Sequence, residues 1–426
     1  MDKFVIRGGV ALRGDVEAGT AKNSVLPLLA ATLLTRDPCR IVDAPRLRDV
    51  ETMLQILGAL GVEARREEDG SISTKVVDEK PVEAPYDFVK TMRASVCVLG
   101  PLVGRRRKAR VSYPGGCVFG PRPIDLHLKG LRALGVELDL EGGYIVADAA
   151  RLRGGEMYLG GPFGSTVTGT ANVLMAAVLA EGTTLIDMAA CEPEVQDLAN
   201  FLVAMGARIS GIGTPTLEIQ GVRELHGATW RPIPDRIEAG TFLAAAAVTG
   251  GHVTVRRCRP DHLRAALERL TAVGCRVETG PDWVSCARRG RLQPADIVTL
   301  PYPGFATDLQ AQFMTLLAIA DGVSVVTEKI YPERFMHVSE LERMRARIRK
   351  EGNSAIVHGT DYLSGAPVLA SDLRASAALV LAGLVAEGET TVRRVYHMDR
   401  GYERMEAKLA KLGARISREK DDEGAQ

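Results

Sequence analysis

Three stretches of the 426-residue chain bring together residue types that bind anions or move protons. Gly19-Thr20-Ala21-Lys22-Asn23-Ser24 runs directly into an apolar helix from Val25 to Leu34. A Lys-Asn pair at that place sets backbone N–H groups, a cation and an amide where an anion could sit. The plainer alternative is a helix cap with a solvated lysine. The segment from Tyr113 to His127 holds three glycines and three prolines, which make it a long structured loop. Cys117 lies on it five residues before Arg122, and a thiol exposed beside cations is reactive. The alternative is a buried small hydrophobe, the reading that suits Cys97, Cys191, Cys258 and Cys275. Pro303-Gly304-Phe305-Ala306-Thr307-Asp308-Leu309-Gln310 puts an acid at a loop-to-helix junction, where Thr307 or Asp308 would also serve as an N-cap.

Arginines recur in similar places. Arg334 in Glu333-Arg334-Phe335-Met336-His337, Arg374 in Ser371-Asp372-Leu373-Arg374-Ala375-Ser376, and Arg400 in Tyr396-His397-Met398-Asp399-Arg400-Gly401-Tyr402 each sit on a loop before a helix. Taken singly, each reads as a structural ion pair. Taken together they fall at one phase of a repeat, so they gather at one end of each domain.

That repeat is a helix ending in Leu or Met, then Gly, a small residue and an alternating strand. It is seen at Leu60-Gly61-Val62, Leu134-Gly135-Val136, Met205-Gly206-Ala207, Val273-Gly274-Cys275 and Leu412-Gly413-Ala414. Met344-Arg345-Ala346 is the same phrase with the glycine lost. The copies lie about 70 residues apart, and a fixed period signals repeated architecture. Glycine suits a helix end that turns through positive φ; Arg345 would be strained there, so a different local turn is expected at that copy. Ala-rich helices with almost no charge, such as Leu174-Met175-Ala176-Ala177 and Phe242-Leu243-Ala244-Ala245, interleave with β-branched strands. Helices inside and strands outside satisfy this pattern, as six β-α-β-α-β units in two groups of three. The joint falls near 227–234, with its two prolines, and a second crossing near 18–21. The expected domains are 22–230 and, discontinuously, 1–21 plus 231–426. The charged tail, 418–424, reads as frayed.

Bulk properties narrow the function. Hydrophobic content of 46% and charged content of 25% are those of a folded globular protein, and the net charge of +1 gives no general pull toward nucleic acid or anionic membrane. Anions must be held by local Lys and Arg clusters. No apolar stretch reaches the roughly 20 residues of a membrane span, and no signal-peptide segment follows the alternating start. Seven scattered cysteines without a CxxC pair argue for reduced thiols in a cytoplasmic protein without a zinc site.

From Lys22-Asn23 to Asp399-Arg400-Gly401-Tyr402-Glu403-Arg404 the chain resembles the bacterial UDP-N-acetylglucosamine 1-carboxyvinyltransferases. The stretches Gly115-Gly116-Cys117 through Leu126-His127, Pro234 to Thr241, Arg334 to Val338 and Asp372 to Ser376 carry the resemblance. It implies two inside-out α/β barrels of the enolpyruvyl transferase type, each of three repeat units around buried helices, closing on a cleft. It implies addition of phosphoenolpyruvate to the 3-hydroxyl of UDP-N-acetylglucosamine, then elimination of phosphate, with no metal or organic cofactor. By resemblance Lys22, Asn23, Cys117, Arg122 and Arg400 hold phosphoenolpyruvate. Asn23, Arg93, Arg122, Pro123, Ile124, Asp125, Leu126, Asp308 and Ile330 face the UDP-sugar, and Arg334, Asp372 and Arg374 support the cleft. Asp308 matches a general base and Cys117 a proton donor, with Lys22 and Arg400 beside the reacting centre. Covalent inhibition by fosfomycin at Cys117 is implied as well.

Some positions depart from the family pattern. Thr20 stands where the family has Gly before Ala-Lys-Asn, the segment 160–169 differs from the usual nucleotide-contacting form, and Arg105-Arg106-Arg107-Lys108 reads as a solvated hairpin tip. The sister transferase of the shikimate pathway is disfavoured by Lys22-Asn23 and Cys117. A catalytically idle UDP-sugar binder would be marked by loss of Lys22, Cys117 or Asp308, all of which are present. Nucleic-acid binding lacks both basic charge and aromatic interleaving.

Overall fold

A computed structural model describes residues 2–113 and 124–421. They fall into two compact units. The Lys22 unit contains 20–113 and 124–233; the Asp308 unit contains 2–19 and 234–421. Each has its own apolar core and three four-stranded sheets.

The sheets share one plan. Glu83–Ala84 runs parallel to Lys108–Ser112, which pairs antiparallel with Tyr144–Asp148, itself antiparallel to Glu137–Glu141. Ile297–Val298, Val323–Thr327, Ser354–His358 and Arg347–Glu351 repeat that order in the Asp308 unit. Each sheet therefore carries one strand more than the β-α-β-α-β pattern: in five of the six the last strand is doubled into a hairpin, and in the sixth Asp2–Arg7 fills that place beside Arg415–Lys420. Burial alternates along the strands, with Ser324 and Val326 buried in Val323–Thr327. One row of side chains thus faces the core and the other faces away.

The core is helical. In the Asp308 unit every residue of Gln310–Leu317 is buried, as are Ile237 to Val248 of Arg236–Thr249 and Arg374 to Leu384 of Leu373–Val385. These three helices pack on one another. Phe242 and Phe313 are fully buried there, each contributing about 2–3 kcal/mol by removal from water. In the Lys22 unit the helices Lys22–Ala31, Leu99–Arg106 and Val167–Ala177 occupy the same place. Asp2–Arg7 lies between Glu389–Arg393 and Arg415–Lys420, and Arg13–Glu17 runs parallel to His252–Arg256. Thr229–Trp230 likewise returns beside Cys39–Ile41. Chain segments distant in sequence thereby close each unit.

Three local expectations are corrected. Arg345 does not change the turn: its φ is 75°, in line with 78° at Gly61, 87° at Gly135 and 94° at Gly274. The Ala346 N–H donates to the Leu341 carbonyl at 3.0 Å, as Ala414 does to Leu409 at 3.0 Å, so the same helix-ending motif forms. Arg105 and Arg106 end the Leu99–Arg106 helix, with Arg106 donating to the Pro81 and Asp78 carbonyls and Arg107 to that of Leu179, so they are no solvated hairpin tip. Of the 418–424 tail, Arg418 to Lys420 are strand rather than frayed, with Arg418 tied to Asp399 and Asp2 at 2.8 Å each, while 422–424 lie outside the described residues. Among the described residues no helix is long and apolar enough to cross a membrane.

Candidate active site

The Lys22–Ala31 helix starts at Ala21 without a side-chain cap. The Lys22 ammonium donates to Asp49 Oδ2 at 3.0 Å, and the two side chains are 11% and 5% exposed. The solvated-lysine alternative is thereby overturned. Asp49 comes from the first turn of Arg48–Ala59, where a carboxylate also suits the helix dipole. One residue past Asn23, Ser24 donates to the buried Asp197. Asp197 also accepts from Trp230 Nε1 at 3.0 Å and from the Ile233 N–H at 3.2 Å. Burial pushes the Asp197 pKa up against these bonds. The start of the Lys22 helix is thus held from two directions.

Arg93 opens the 3-10 turn Arg93–Val98. Burial pushes the nearby Cys97 thiol up to about 12, so Cys97 is an inert apolar residue. His127 is buried in the Asp125–Ala133 helix. Its Nδ1 faces Asn172 Nδ2 at 3.0 Å and its Nε2 faces Thr168 Oγ1 at 3.0 Å. An amide nitrogen only donates, so Nδ1 is the acceptor and the proton sits on Nε2. The other bonds of Asn172 reach the Val96 carbonyl at 3.0 Å and the Gly100 N–H at 2.7 Å. This lattice fixes the 3-10 turn that carries Arg93 against the helix that begins at Asp125. Ile124 is buried, Asp125 is exposed, and Leu126 is half-buried against the short hairpin of Gly160–Gly161 and Gly164–Ser165. Cys117, Arg122 and Pro123 lie outside the described residues.

In the Asp308 unit the acid and two of the arginines meet. Asp308 Oδ1 accepts from Arg334 Nη1 at 2.8 Å, and Oδ2 from Arg374 Nη2 at 2.8 Å. The arginine side chains are 9% and 4% exposed, that of Asp308 25%. Burial pushes the carboxyl upward, but the two guanidiniums outweigh it and hold Asp308 well below the usual carboxylate range. Asp308 and Thr307 lie in a 3-10 turn and neither caps the Gln310–Leu317 helix. Asp372 does act as a cap, accepting from the Arg374 and Ala375 N–H groups at 2.8 and 3.1 Å. Arg374 therefore stands in the first turn of its helix, with its guanidinium 5.4 Å from the Tyr402 ring centre. Arg400 ends the 3-10 turn Val395–Arg400; after burial, its charge lowers the pKa of neighbouring His397. The Ile330 N–H is taken by Glu328 at 2.8 Å, so any backbone contact to a ligand falls to its carbonyl.

A family model described as EPSP synthase (3-phosphoshikimate 1-carboxyvinyltransferase) matches residues 6–409. A curated relative from Methylacidiphilum infernorum (isolate V4), named UDP-N-acetylglucosamine 1-carboxyvinyltransferase, is 53% identical over 419 residues, 98% of this chain and 99% of that one. The chain belongs to the enolpyruvyl transferase family. A protein of the same name from Coxiella burnetii (strain Dugway 5J108-111) is 54% identical over 98% of this chain and 96% of its own. Among solved structures, the enolpyruvyl transferase NikO from Streptomyces tendae superposes with a TM-score of 0.87 at 27% identity, covering 98% of each chain. An EPSP synthase from Acinetobacter baumannii shares the fold at a TM-score of 0.71 and 17% identity, over 99% of this chain and 100% of that one.

Within this enolpyruvyl transferase, the structure joins Asp308, Arg334 and Arg374 in one cluster, with Asp372 shaping its helix end. Lys22 pairs instead with a residue that sequence reasoning misses, Asp49. Asp197, Asn172 and Glu328 are missed as well. Asp49 reads locally as a helix-start acid and Glu328 as a polar residue ending a strand; nothing near either position signals its partners. Thr20 keeps a negative φ, so its departure from glycine costs the backbone nothing.

Proposed function

We propose that the chain transfers the enolpyruvyl group of phosphoenolpyruvate to the 3-hydroxyl of UDP-N-acetylglucosamine with release of phosphate, the first committed step of peptidoglycan precursor synthesis in the cytoplasm. The near-full-length likeness to relatives of that name carries the reading. The sugar hydroxyl adds to C2 of phosphoenolpyruvate while a proton goes to its methylene carbon. The resulting ketal then loses phosphate and a proton from that methyl group. Cys117 supplies the methylene proton, and Asp308 takes the hydroxyl proton. A carboxylate held ionised by two guanidiniums is a weak base, but a hydroxyl oxygen bonding to carbon becomes acidic enough for it. Lys22, Asn23, Arg122 and Arg400 bind phosphoenolpyruvate. Arg93, Arg122 to Leu126, Asn23, Asp308 and the Ile330 carbonyl bind the UDP-sugar. Arg334, Asp372 and Arg374 hold the Asp308 carboxylate in place.

Phosphate release with phosphoenolpyruvate plus UDP-N-acetylglucosamine, against shikimate 3-phosphate as acceptor, tests the reading. Release with the UDP-sugar alone is the expected outcome; release only with shikimate 3-phosphate would sink it. Fosfomycin, an epoxide, alkylates the Cys117 sulfur in the presence of UDP-N-acetylglucosamine. Intact-mass and peptide spectra showing an unmodified Cys117 after prolonged exposure would reject that part.

A further inference from the structure

We propose that Glu328 is the positioning residue for the acceptor sugar, acting on Asp308 through Thr307 and Arg334 and on Ile330 through its backbone. This rests on the assignment of Asp308 and Ile330 to the sugar in the proposed function. Glu328 is fully buried, and burying a carboxylate is costly unless every lone pair is met. Its described hydrogen-bond donors are all neutral. Oε1 accepts from the Thr299 hydroxyl at 2.6 Å and from the N–H groups of Ile330 and Tyr331 at 2.8 and 3.0 Å. Oε2 accepts from the Thr307 hydroxyl at 2.9 Å.

The two oxygens act in different directions. Oε1 gathers the Ile330 and Tyr331 N–H groups, folding the chain after the Val323–Thr327 strand into a tight turn and fixing the plane of the Ile330 peptide. Oε2 claims the single proton of Thr307. Because a carboxylate only accepts, the Thr307 oxygen must present a lone pair to its other neighbour, Arg334 Nη1, at 2.9 Å. That same Nη1 reaches Asp308 Oδ1 at 2.8 Å. Glu328 therefore sets the polarity of a chain running from its carboxylate through Thr307 and Arg334 to Asp308, and the same side chain fixes Ile330. A scaffold role alone needs neither the charge nor its convergence on two positions at the sugar.

An amide cannot reproduce this. In Glu328→Gln the single oxygen is claimed by Thr299, Ile330 and Tyr331, so the NH2 group faces Thr307 and turns its proton toward Arg334. Steady-state kinetics on the full-length chain, varying each substrate in turn, reads the consequence. Losing a charge-assisted hydrogen bond predicts a KM for UDP-N-acetylglucosamine raised about 10-fold or more, with the KM for phosphoenolpyruvate kept within about 2-fold. Thr307→Val, which leaves the Ile330 turn intact, gives the same selective rise, and Thr307→Ser restores the wild-type value. If both KM values rise together, or neither rises, in folded Glu328→Gln and Thr307→Val, the assignment is overturned. Should Glu328→Gln not fold, Thr307→Val against Thr307→Ser decides it alone. Wild-type protein that fails to turn over the UDP-sugar would instead overturn the proposed function.

Discussion

In the Lys22 unit one ammonium faces one carboxylate, whereas in the Asp308 unit one carboxylate is divided between two guanidiniums. An ammonium has three donors, and the described bond to Asp49 takes one. Lys22 is thus pre-oriented by Asp49. Asp308 has both oxygens engaged, so its geometry is set before any ligand arrives and its charge persists at any physiological pH. The first arrangement suits binding a mobile anion; the second suits holding a proton acceptor still.

Breaking the second arrangement has the larger effect. Asp308→Asn keeps the shape but leaves Arg334 and Arg374 facing a neutral group. Loss of the proposed base is expected to lower kcat by about 10²–10⁴-fold, and loss of the counter-charge for nearly buried guanidiniums to lower stability by about 3 kcal/mol. The pH dependence follows from the depressed carboxyl. Its contribution is full above the unfolded value of about 3.9 and is lost as pH falls toward the lower folded value. Urea unfolding of wild type and variant therefore shows a constant gap between pH 8 and 5 and a shrinking one below about pH 4. A gap already closing at pH 6 would mean that the guanidiniums do not hold Asp308 as described. Lys22→Met costs activity on a similar scale, about 10²–10³-fold, but stability only about 2 kcal/mol, since one charged hydrogen bond is lost. Equal stability losses in the two variants would erase the distinction between the units.

Buried histidines sharpen the comparison. His127 in the Lys22 unit has an amide and a hydroxyl partner, while the described partner of His337 Nε2 in the Asp308 unit is the Met314 sulfur at 3.3 Å. Burial, aided by the Arg93 charge, lowers the His127 pKa to about 3, so the ring is neutral in the folded protein. The unfolded chain takes up that proton below about 6.5. Stability present above that pH is therefore lost as pH falls, by about 2 kcal/mol between pH 7 and 5. His127→Gln is less stable at pH 7, yet loses about 2 kcal/mol less than wild type on going to pH 5. Parallel losses in the two proteins would show His127 to be protonated in the fold.

What can be read from sequence divides along the same lines. The helix-Gly-strand phrase is local chemistry, so Gly61, Gly135, Gly206, Gly274 and Gly413 announce their turns. Uncharged Ala-rich helices likewise announce their burial. The residue types of the site are legible as well, since Arg334, Arg374 and Arg400 fall at one phase of the repeat and Asp308 stands at a loop-to-helix junction. Their pairing is not, because it depends on how separate repeats pack. Asp49 lies 27 residues from Lys22, and Glu328 lies 21 from Thr307. A cap-forming sequence at Thr307-Asp308 gives way because tertiary partners outbid the helix end for both side chains. Cys117, Arg122 and Pro123 rest on resemblance alone, since they lie outside the described residues.

The smallest expected effect concerns the one copy of the repeated helix-Gly-strand phrase that lacks the glycine. At φ 75°, Arg345 occupies the left-handed region that Gly206 fills in the Lys22 unit. A Cβ there costs about 1–2 kcal/mol. The guanidinium, 4.3 Å from the Tyr362 ring centre, returns about 0.5–1 kcal/mol at an exposed site. Arg345→Gly relieves the strain but loses that contact and adds about 0.5–1 kcal/mol of unfolded-chain entropy. These contributions nearly cancel, so Arg345→Gly lies close to wild type. Arg345→Ala loses the contact and keeps the strain. The glycine variant is therefore more stable than the alanine variant by about 0.5–1 kcal/mol, the reverse of their order in a helix interior. Urea unfolding of the pair measures it. An alanine variant equal to or better than glycine would mean that the turn at Arg345 relaxes, and that this repeat departs from the other five after all.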